Sequence, residues 1–316
     1  MSKKNNWKTI FPAISVPLHD DYTINESELR NYVEWLVGFE DIGGLVTNGH
    51  TGEVGSLSRE ERKKVTEIVV DQVGDRVLVV SGINSENTLE AIEHANDAKE
   101  VGADGIMIMP PHGWLRFGMK EEVAFKFYDD IARKTGMNII IHLYPATTKA
   151  YLPVDLLVEM CSKIPQIKAI KQGTRVAPIY EHDVRTLHKQ CPNVALLTCY
   201  DEAIATSIIP GMDGAVLGFA GIVPELITGV FKAYRSRDFN KFMEYYDRIE
   251  PISQGIYGSG QPSGEAHARL KEALVQRGVF SSSLMKLPMV LINDKERQGV
   301  KEGLKESGLG KPLSMV

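Results

Sequence analysis

The 316-residue chain has only three cysteines, Cys161, Cys191 and Cys199. They form no Cys-x-x-Cys pair and no spaced framework, so neither a disulfide scaffold nor a thiolate metal site is expected, and the odd count suits a reducing compartment. No stretch reaches the ~20 consecutive apolar residues of a membrane span. Residues 1–8 carry no apolar run, which argues against a signal peptide and makes the cytoplasm the expected location. Positive charge is also short: 36 Lys and Arg stand against 41 Asp and Glu, a net −5. That balance makes no electrostatic case for nucleic acid or for an anionic membrane surface. No Gly-x-Gly-x-x-Gly follows the first strand, so a dinucleotide site is not expected, and no motif calls for a metal or another cofactor.

What is present is alternation. Strand patterns fall at 10–16, 43–47, 76–81, 104–109 and 138–144, then through the stretch 167–174, and at 194–198 and 213–217. Helical patterns follow them at 26–38, 58–73, 86–101, 120–135, 153–163, 176–188, 201–209 and 224–235. Local chemistry marks the ends: Asn25 or Thr23 as a cap, Ser58 with Glu61 as a capping box, Gly102 as a stop and Pro153 as a start. Pro110-Pro111-His112-Gly113-Trp114 reads as a loop without regular structure. Continuous apolar strands such as Asn138-Ile139-Ile140-Ile141 imply burial on both faces, hence parallel pairing. Eight such units in about 235 residues predict a (β/α)8 TIM barrel over 1–235, with a C-terminal helical domain over 236–316 that breaks irregularly at 255–264. A doubly wound open sheet is the runner-up. Trp7, Trp35 and Phe125-Lys126-Phe127-Tyr128 read as core or subunit contact, and 265–274 as an amphipathic segment that packs on the barrel or a partner.

In such a barrel the chemistry belongs at the C-terminal ends of the strands. Those ends supply His50 and Thr51, His112, His142 and Tyr144, Lys171, Thr198 to Tyr200, and Val216 to Phe219. His142 and Tyr144 are two apart and share a face. Lys171 closes the strand Ile167-Lys168-Ala169-Ile170-Lys171. Read alone, it is a surface lysine at a strand end; the company at the other strand ends changes that. A buried ammonium is costly, and lowering its pKa leaves a neutral amine able to attack a carbonyl. The chemistry suggested is imine formation with a 2-oxo acid, proton transfer by tyrosine or histidine, and a carboxylate cradle in Gly49-His50-Thr51-Gly52.

These residues resemble the dihydrodipicolinate synthase / N-acetylneuraminate lyase family of class I Schiff-base aldolases, over nearly the whole chain. Gly49-His50-Thr51-Gly52-Glu53 is similar to the family's Gly-Thr-Thr-Gly-Glu loop, Val80-Ser81-Gly82 and Gly102-Ala103-Asp104-Gly105 to its middle third. Ala169-Ile170-Lys171-Gln172-Gly173-Thr174 is similar to its lysine strand, and Gly211-Met212-Asp213-Gly214-Ala215-Val216 to its eighth strand. The resemblance implies Lys171 as the imine lysine and Gly49, His50, Thr51, Gly52 and Val216 about the substrate, with Glu53 as an anchor of the loop. It places the aromatic loop residue that reaches a neighbour's site near His112. It leaves Tyr144 and His142 as rival proton carriers. It implies no cofactor, a small 2-oxo acid as substrate, and a homotetramer or homodimer. Two departures stand out: His50 replaces the family's first loop threonine, and Ala146-Thr147-Thr148-Lys149 lacks the arginine that binds a second substrate in the synthases, for whose fork Lys149 is no replacement. The implied activity is that of a synthase-like lyase. A 2-keto-3-deoxy sugar-acid aldolase or dehydratase, such as 5-dehydro-4-deoxyglucarate dehydratase, is an alternative, and a non-catalytic keto-acid-binding paralogue a second. A metal-dependent hydrolase using His50, His112 and His142 is disfavoured, because Asp104 and Asp213 lie at strand starts, the wrong end.

Overall fold

A computed structural model describes residues 6–258 and 263–310. The first half of the order is β1 (Ile10–Pro12), α1 (Glu26–Val37), β2 (Gly44–Thr47), α2 (Arg59–Val73), β3 (Leu78–Ile83), α3 (Thr88–Glu100), β4 (Gly105–Ile108), α4 (His112–Phe117), α5 (Glu121–Thr135) and β5 (Asn138–His142). It continues with α6 (Val154–Lys163), β6 (Ile167–Gln172), α7 (Ala177–Gln190), β7 (Ala195–Thr198), α8 (Ile204–Ile208), β8 (Gly214–Leu217), α9 (Phe219–Ile222) and α10 (Pro224–Ser236). Three helices follow the barrel: α11 (Phe239–Tyr257), α12 (Gly264–Gln276) and α13 (Asp294–Glu306).

The eight strands are parallel, in the order β1-β8-β7-β6-β5-β4-β3-β2. The ring closes between β1 and β2 through single bridges, Ile10 to Ile42 and Ala13 to Val46, supported by the Ile14 N–H donating to the Val46 carbonyl at 3.1 Å. This is the expected TIM barrel. Most strands are shorter than the apolar runs that announced them: β1, β4, β5 and β6 stop earlier, while β2, β7 and β8 begin one residue later.

Side-chain alternation sorts each strand into two layers. Phe11, Val46, Met107, Ile140, Ala169 and Val216 fill the barrel interior. Ile139, Ile141, Leu143 and Ile170 face outward onto the helices. Counting by twos from Ala169 and Ile140, the inward face delivers Lys171, His142 and Tyr144 to the barrel mouth. The cluster between strands and helices on the β1 side runs without interruption into Ile252 and Ile256 of α11 and Leu270 and Leu274 of α12.

The helix starts follow local chemistry. Asn25 caps α1, and Ser58 and Glu61 satisfy both bonds of a capping box before α2. Two expectations are corrected. The Pro110–Trp114 loop is partly helical, because Pro111 stands just before α4, where a missing N–H is not needed, and the Glu86 carboxylate accepts from the His112 and Gly113 N–H groups at 2.8 and 2.9 Å. The break expected at 255–264 does not begin at Gly255: α11 continues to Tyr257, and residues 259–262 lie outside the described residues. A Cβ at Gly255 would sit 2.7 Å from the Gly299 carbonyl of α13, so that glycine serves a close helix crossing.

α12 is tied to the barrel by charge. Lys271, fully buried, donates to Glu53 at 2.6 Å and to the Leu284 carbonyl, while the other Glu53 oxygen accepts from the Lys286 N–H at 2.6 Å. Breaking one side of a buried pair strands the other charge, at about 3 kcal/mol. Lys271→Met is therefore expected to lower stability by about that amount in denaturant melts. The double variant Glu53→Gln/Lys271→Met is expected to recover at least half of it; a double variant worse than the single would refute the argument.

Candidate active site

The mouth of the barrel gathers side chains from β2, β5, β6, β7 and α12. Lys171 is paired in register with His142 across the β5–β6 ladder, and a bulge at the start of that ladder sets the pairing. A slip of one residue would turn Lys171 outward and bring Gln172 to the site. Gly173, immediately beyond, permits the approach: a Cβ there would meet the Leu143 carbonyl at 2.1 Å. Lys171 is half-buried. Burial is the main reason its amine is held below the ordinary lysine range, with Arg175 adding to the effect and Cys199 and Asp201 opposing it.

Behind the strand, Gln172 and Thr174 are buried against Asp183, which also accepts from Tyr151 at 2.9 Å. This network fixes the strand end without contacting the reaction side. Just beyond β7, the half-buried Cys199 thiol donates to the Gln172 carbonyl at 3.3 Å, and burial pushes its pKa up, as expected of an inert thiol.

Three aromatic side chains stand beside the lysine. The Tyr144 hydroxyl lies 3.1 Å from His50 Nε2. The rings of His142 and Tyr144 meet edge to face at 5.0 Å, and those of His50 and His142 are 5.5 Å apart. Burial lowers the pKa of His50 to about 3 and that of His142 well below the ordinary value, with the Lys171 charge contributing to both. Burial raises the Tyr144 phenol. All three are therefore uncharged near neutral pH, and His142 Nδ1 is buried without a partner among the described residues.

The loop after β2 forms a tight turn bracketed by two non-glycine residues in the left-handed region, Asn48 at φ 53° and Glu53 at φ 59°. Each is held by its own buried contacts, Asn48 through Arg62, Thr66 and Ser81, Glu53 through Lys271. The turn uses the N–H groups of Gly52, Glu53 and Val54. Those of Gly49, His50 and Thr51 have no acceptor among the described residues, and this is the geometry of an anion cradle. Across the mouth, Asp201 accepts from the Gly218 and Phe219 N–H groups and from Tyr257, which orders the end of β8.

Of the residues singled out in the sequence, Lys171, His142, Tyr144, His50 and the Gly49–Gly52 turn are thus brought together. Val216 lies in the barrel interior below them, nearly fully buried. His112 is separate: it sits on the rim, its side chain 53 % exposed, 3.5 Å from Glu86, and only its charge is felt at His50. Two neighbours were not foreseen. His267, on α12, is half-buried and pushed down to about 4, first by desolvation and then by the Lys171 charge. Arg175 follows β6, its side chain 12 % exposed and paired with Glu202. Its spacing from Lys171 could have flagged Arg175. Nothing local could have flagged His267, which reaches the site only through the packing of α12.

The chain matches the model described as the Dihydrodipicolinate synthetase family over residues 6–307. It is 28% identical to a 4-hydroxy-tetrahydrodipicolinate synthase of Bartonella bacilliformis, covering 96% of this chain and 98% of that one. It is 30% identical to a protein of the same description from Methanothrix thermoacetophila, covering 94% and 96%. Among solved structures it resembles YagE, a prophage protein from E. coli K12 in complex with pyruvate, with a TM-score of 0.87 at 24% identity over 96% of this chain and 99% of that one, a likeness of fold.

The depressed histidines make stability depend on acidity. With folded-state pKa values below the free value near 6.5, the unfolded chain takes up protons first as pH falls. Stability is then full above about pH 7 and is lost below 6.5, by up to about 1.4 kcal/mol per pH unit for each histidine. His142→Asn is expected to show a smaller drop in denaturant midpoint between pH 7 and pH 5 than the unsubstituted protein; an equal or larger drop would contradict the assignment.

Proposed function

Because the chain belongs to the dihydrodipicolinate synthetase family, whose relatives are named synthases and lyases, it is a lyase, and we propose that Lys171 forms a Schiff base with pyruvate or another 2-oxo acid. The reaction proposed is aldol-type carbon–carbon bond formation or cleavage at C3 of that acid. The observation that carries this reading is the Lys171 amine itself: inward, half-buried at the barrel mouth and held below the ordinary lysine range by desolvation.

In the proposed sequence, the Nζ lone pair attacks C2 and the ketone oxygen becomes the hydroxyl of a carbinolamine. That hydroxyl leaves as water, giving the protonated imine. Loss of a C3 proton gives the enamine, whose electron pair attacks an aldehyde carbon; in reverse, cleavage of the C3–C4 bond feeds that pair into the imine. The unpaired N–H groups of Gly49, His50 and Thr51 and the Thr51 hydroxyl are assigned to the substrate carboxylate, with Gly52 shaping the turn. Val216 lies beneath that position, on β8. Tyr144 is assigned as the proton carrier, because its hydroxyl already lies against a neutral imidazole that can give a proton at one nitrogen and take one at the other. His142, with an unpartnered ring nitrogen, remains the rival carrier. No step uses a metal or a cofactor.

A reading as a sugar-acid-type 2-keto-3-deoxy acid aldolase or dehydratase is favoured by two features: residues 146–149 hold no arginine, and Glu202 Oε2 is buried without a partner, an acceptor suited to a substrate hydroxyl. A keto-acid-binding paralogue without activity has no need of a desolvated amine. We place the protein in the cytoplasm as a homotetramer or homodimer. Phe117 and Leu89, 76% and 75% exposed, support assigning the face around α4, with His112 on its rim, to a second copy.

Borohydride reduction in the presence of pyruvate is expected to leave a mass adduct on Lys171, absent in Lys171→Ala. Tyr144→Phe is expected to lower kcat by about a hundredfold or more and His142→Asn by much less. The opposite order would move the proton carrier to His142, and no adduct with any 2-oxo acid in folded protein would sink the lyase mechanism.

A further inference from the structure

The near end of the turn after β2 is held by one side chain. Asn48 is 1 % exposed and takes the left-handed backbone at φ 53°, which asparagine tolerates better than most residues with a side chain. Its amide nitrogen donates to the Arg62 carbonyl at 2.9 Å and reaches the Thr66 and Ser81 hydroxyl oxygens at 3.0 and 2.9 Å. Arg62 and Thr66 belong to α2 and Ser81 to β3, so the amide ties the turn to two elements at once. The Arg62 carbonyl can only accept, so the amide presents its nitrogen there. That leaves the amide oxygen buried with no partner among the described residues, which costs stability. Glycine would take the same backbone without that cost, so the turn by itself gives no reason for the amide.

What the amide holds is the peptide that leads into the three unpaired N–H groups. A Cβ on Gly82 of β3 would stand 2.1 Å from the Asn48 carbonyl oxygen and 3.2 Å from the Gly49 nitrogen. Gly82 therefore lets the Asn48–Gly49 peptide seat against β3, and the Asn48 side chain keeps it there. The Gly49 carbonyl accepts from the Gly52 and Val54 N–H groups at 3.1 and 3.2 Å, which closes the turn and leaves the N–H groups of Gly49, His50 and Thr51 without an acceptor among the described residues. The Thr66 hydroxyl also meets the Thr47 hydroxyl at 2.9 Å, so the end of β2 and the start of the turn are keyed to one point of α2. The far end of the turn is tied separately, by Glu53 to Lys271.

We propose that Asn48 is a positioning residue for the reaction: by anchoring the Asn48–Gly49 peptide to α2 and β3, it aims the N–H groups of Gly49, His50 and Thr51 at the carboxylate of the 2-oxo acid. The inference rests on the Schiff-base reading above and adds to it a residue that touches neither the substrate nor Lys171. A preorganised donor set binds an anion without first having to be ordered, and that advantage is lost when the peptide can swing.

The test compares pyruvate with acetone, the same methyl ketone with a methyl group in place of the carboxylate. Adduct formation on Lys171 of the full chain is followed by mass in cyanoborohydride, which reduces imines in preference to ketones. Asn48→Gly keeps the left-handed backbone and removes the anchor. It is expected to slow pyruvate trapping about tenfold and to leave acetone trapping within about twofold, because only pyruvate uses the N–H groups of the turn. Thr66→Val keeps Asn48 but removes one of its acceptors, and is expected to slow pyruvate about threefold, again with acetone unchanged. Unchanged pyruvate trapping in folded Asn48→Gly, or equal losses for the two ketones, would overturn the proposal while leaving the imine chemistry standing. Should Asn48→Gly not fold, the same two results in Thr66→Val would overturn it. No adduct with pyruvate in the unsubstituted protein would instead remove the Schiff-base reading and this inference with it.

Discussion

The structure depends on keeping one amine dry. A lysine at the end of a buried strand is stable only if its charge is relieved, and the barrel relieves it by desolvation rather than by a direct carboxylate partner. Everything around Lys171 is consistent with that choice. Its neighbours on the inward face, Ala169 below and His142 beside it, carry no charge, and Asp201, an acid whose charge reaches it, is occupied by two N–H groups and Tyr257. Had a free carboxylate stood within reach, the lysine would stay charged and lose its nucleophilicity.

A dry strand end needs a lid of protein, and here the C-terminal helices provide it. The ion pair from Lys271 to Glu53 joins α12 to the turn that carries the unpaired N–H groups, so the turn is positioned from below by β2 and from above by α12. Both partners are buried, so the pair adds little net stability compared with an apolar contact, but it fixes one register between helix and turn. The same docking brings His267 toward the lysine. The helical extension thus completes the mouth as well as covering it.

The replacement of a loop hydroxyl by His50 alters how protons can move. A threonine passes a proton through one oxygen; a neutral imidazole has two distinct nitrogens and can act as donor at one and acceptor at the other. The Tyr144 hydroxyl lies against His50, the His142 ring packs on both, and all three are uncharged near neutral pH, so the proposed proton carriers stand together without a fixed charge.

The sequence by itself determined the barrel and the lysine. Alternating strand and helix periods, caps such as Ser58 with Glu61, and apolar runs such as Ile139-Ile140-Ile141 are local patterns, and local physics suffices to interpret them. The side of the barrel on which chemistry falls was equally legible, because parallel strands all end at one mouth, so Lys171, His142, Tyr144 and His50 could be grouped without coordinates. Tertiary structure alone decided the rest. The β5–β6 bulge that sets Lys171 opposite His142, the pairing of Tyr144 with His50 across the mouth, and the arrival of His267 and Lys271 from α12 all depend on contacts between segments far apart in the chain. Such contacts leave no periodicity and no neighbouring residue to announce them. The helix over His112–Phe117 shows the same limit at short range, since its first N–H groups are satisfied by Glu86, a carboxylate from another loop.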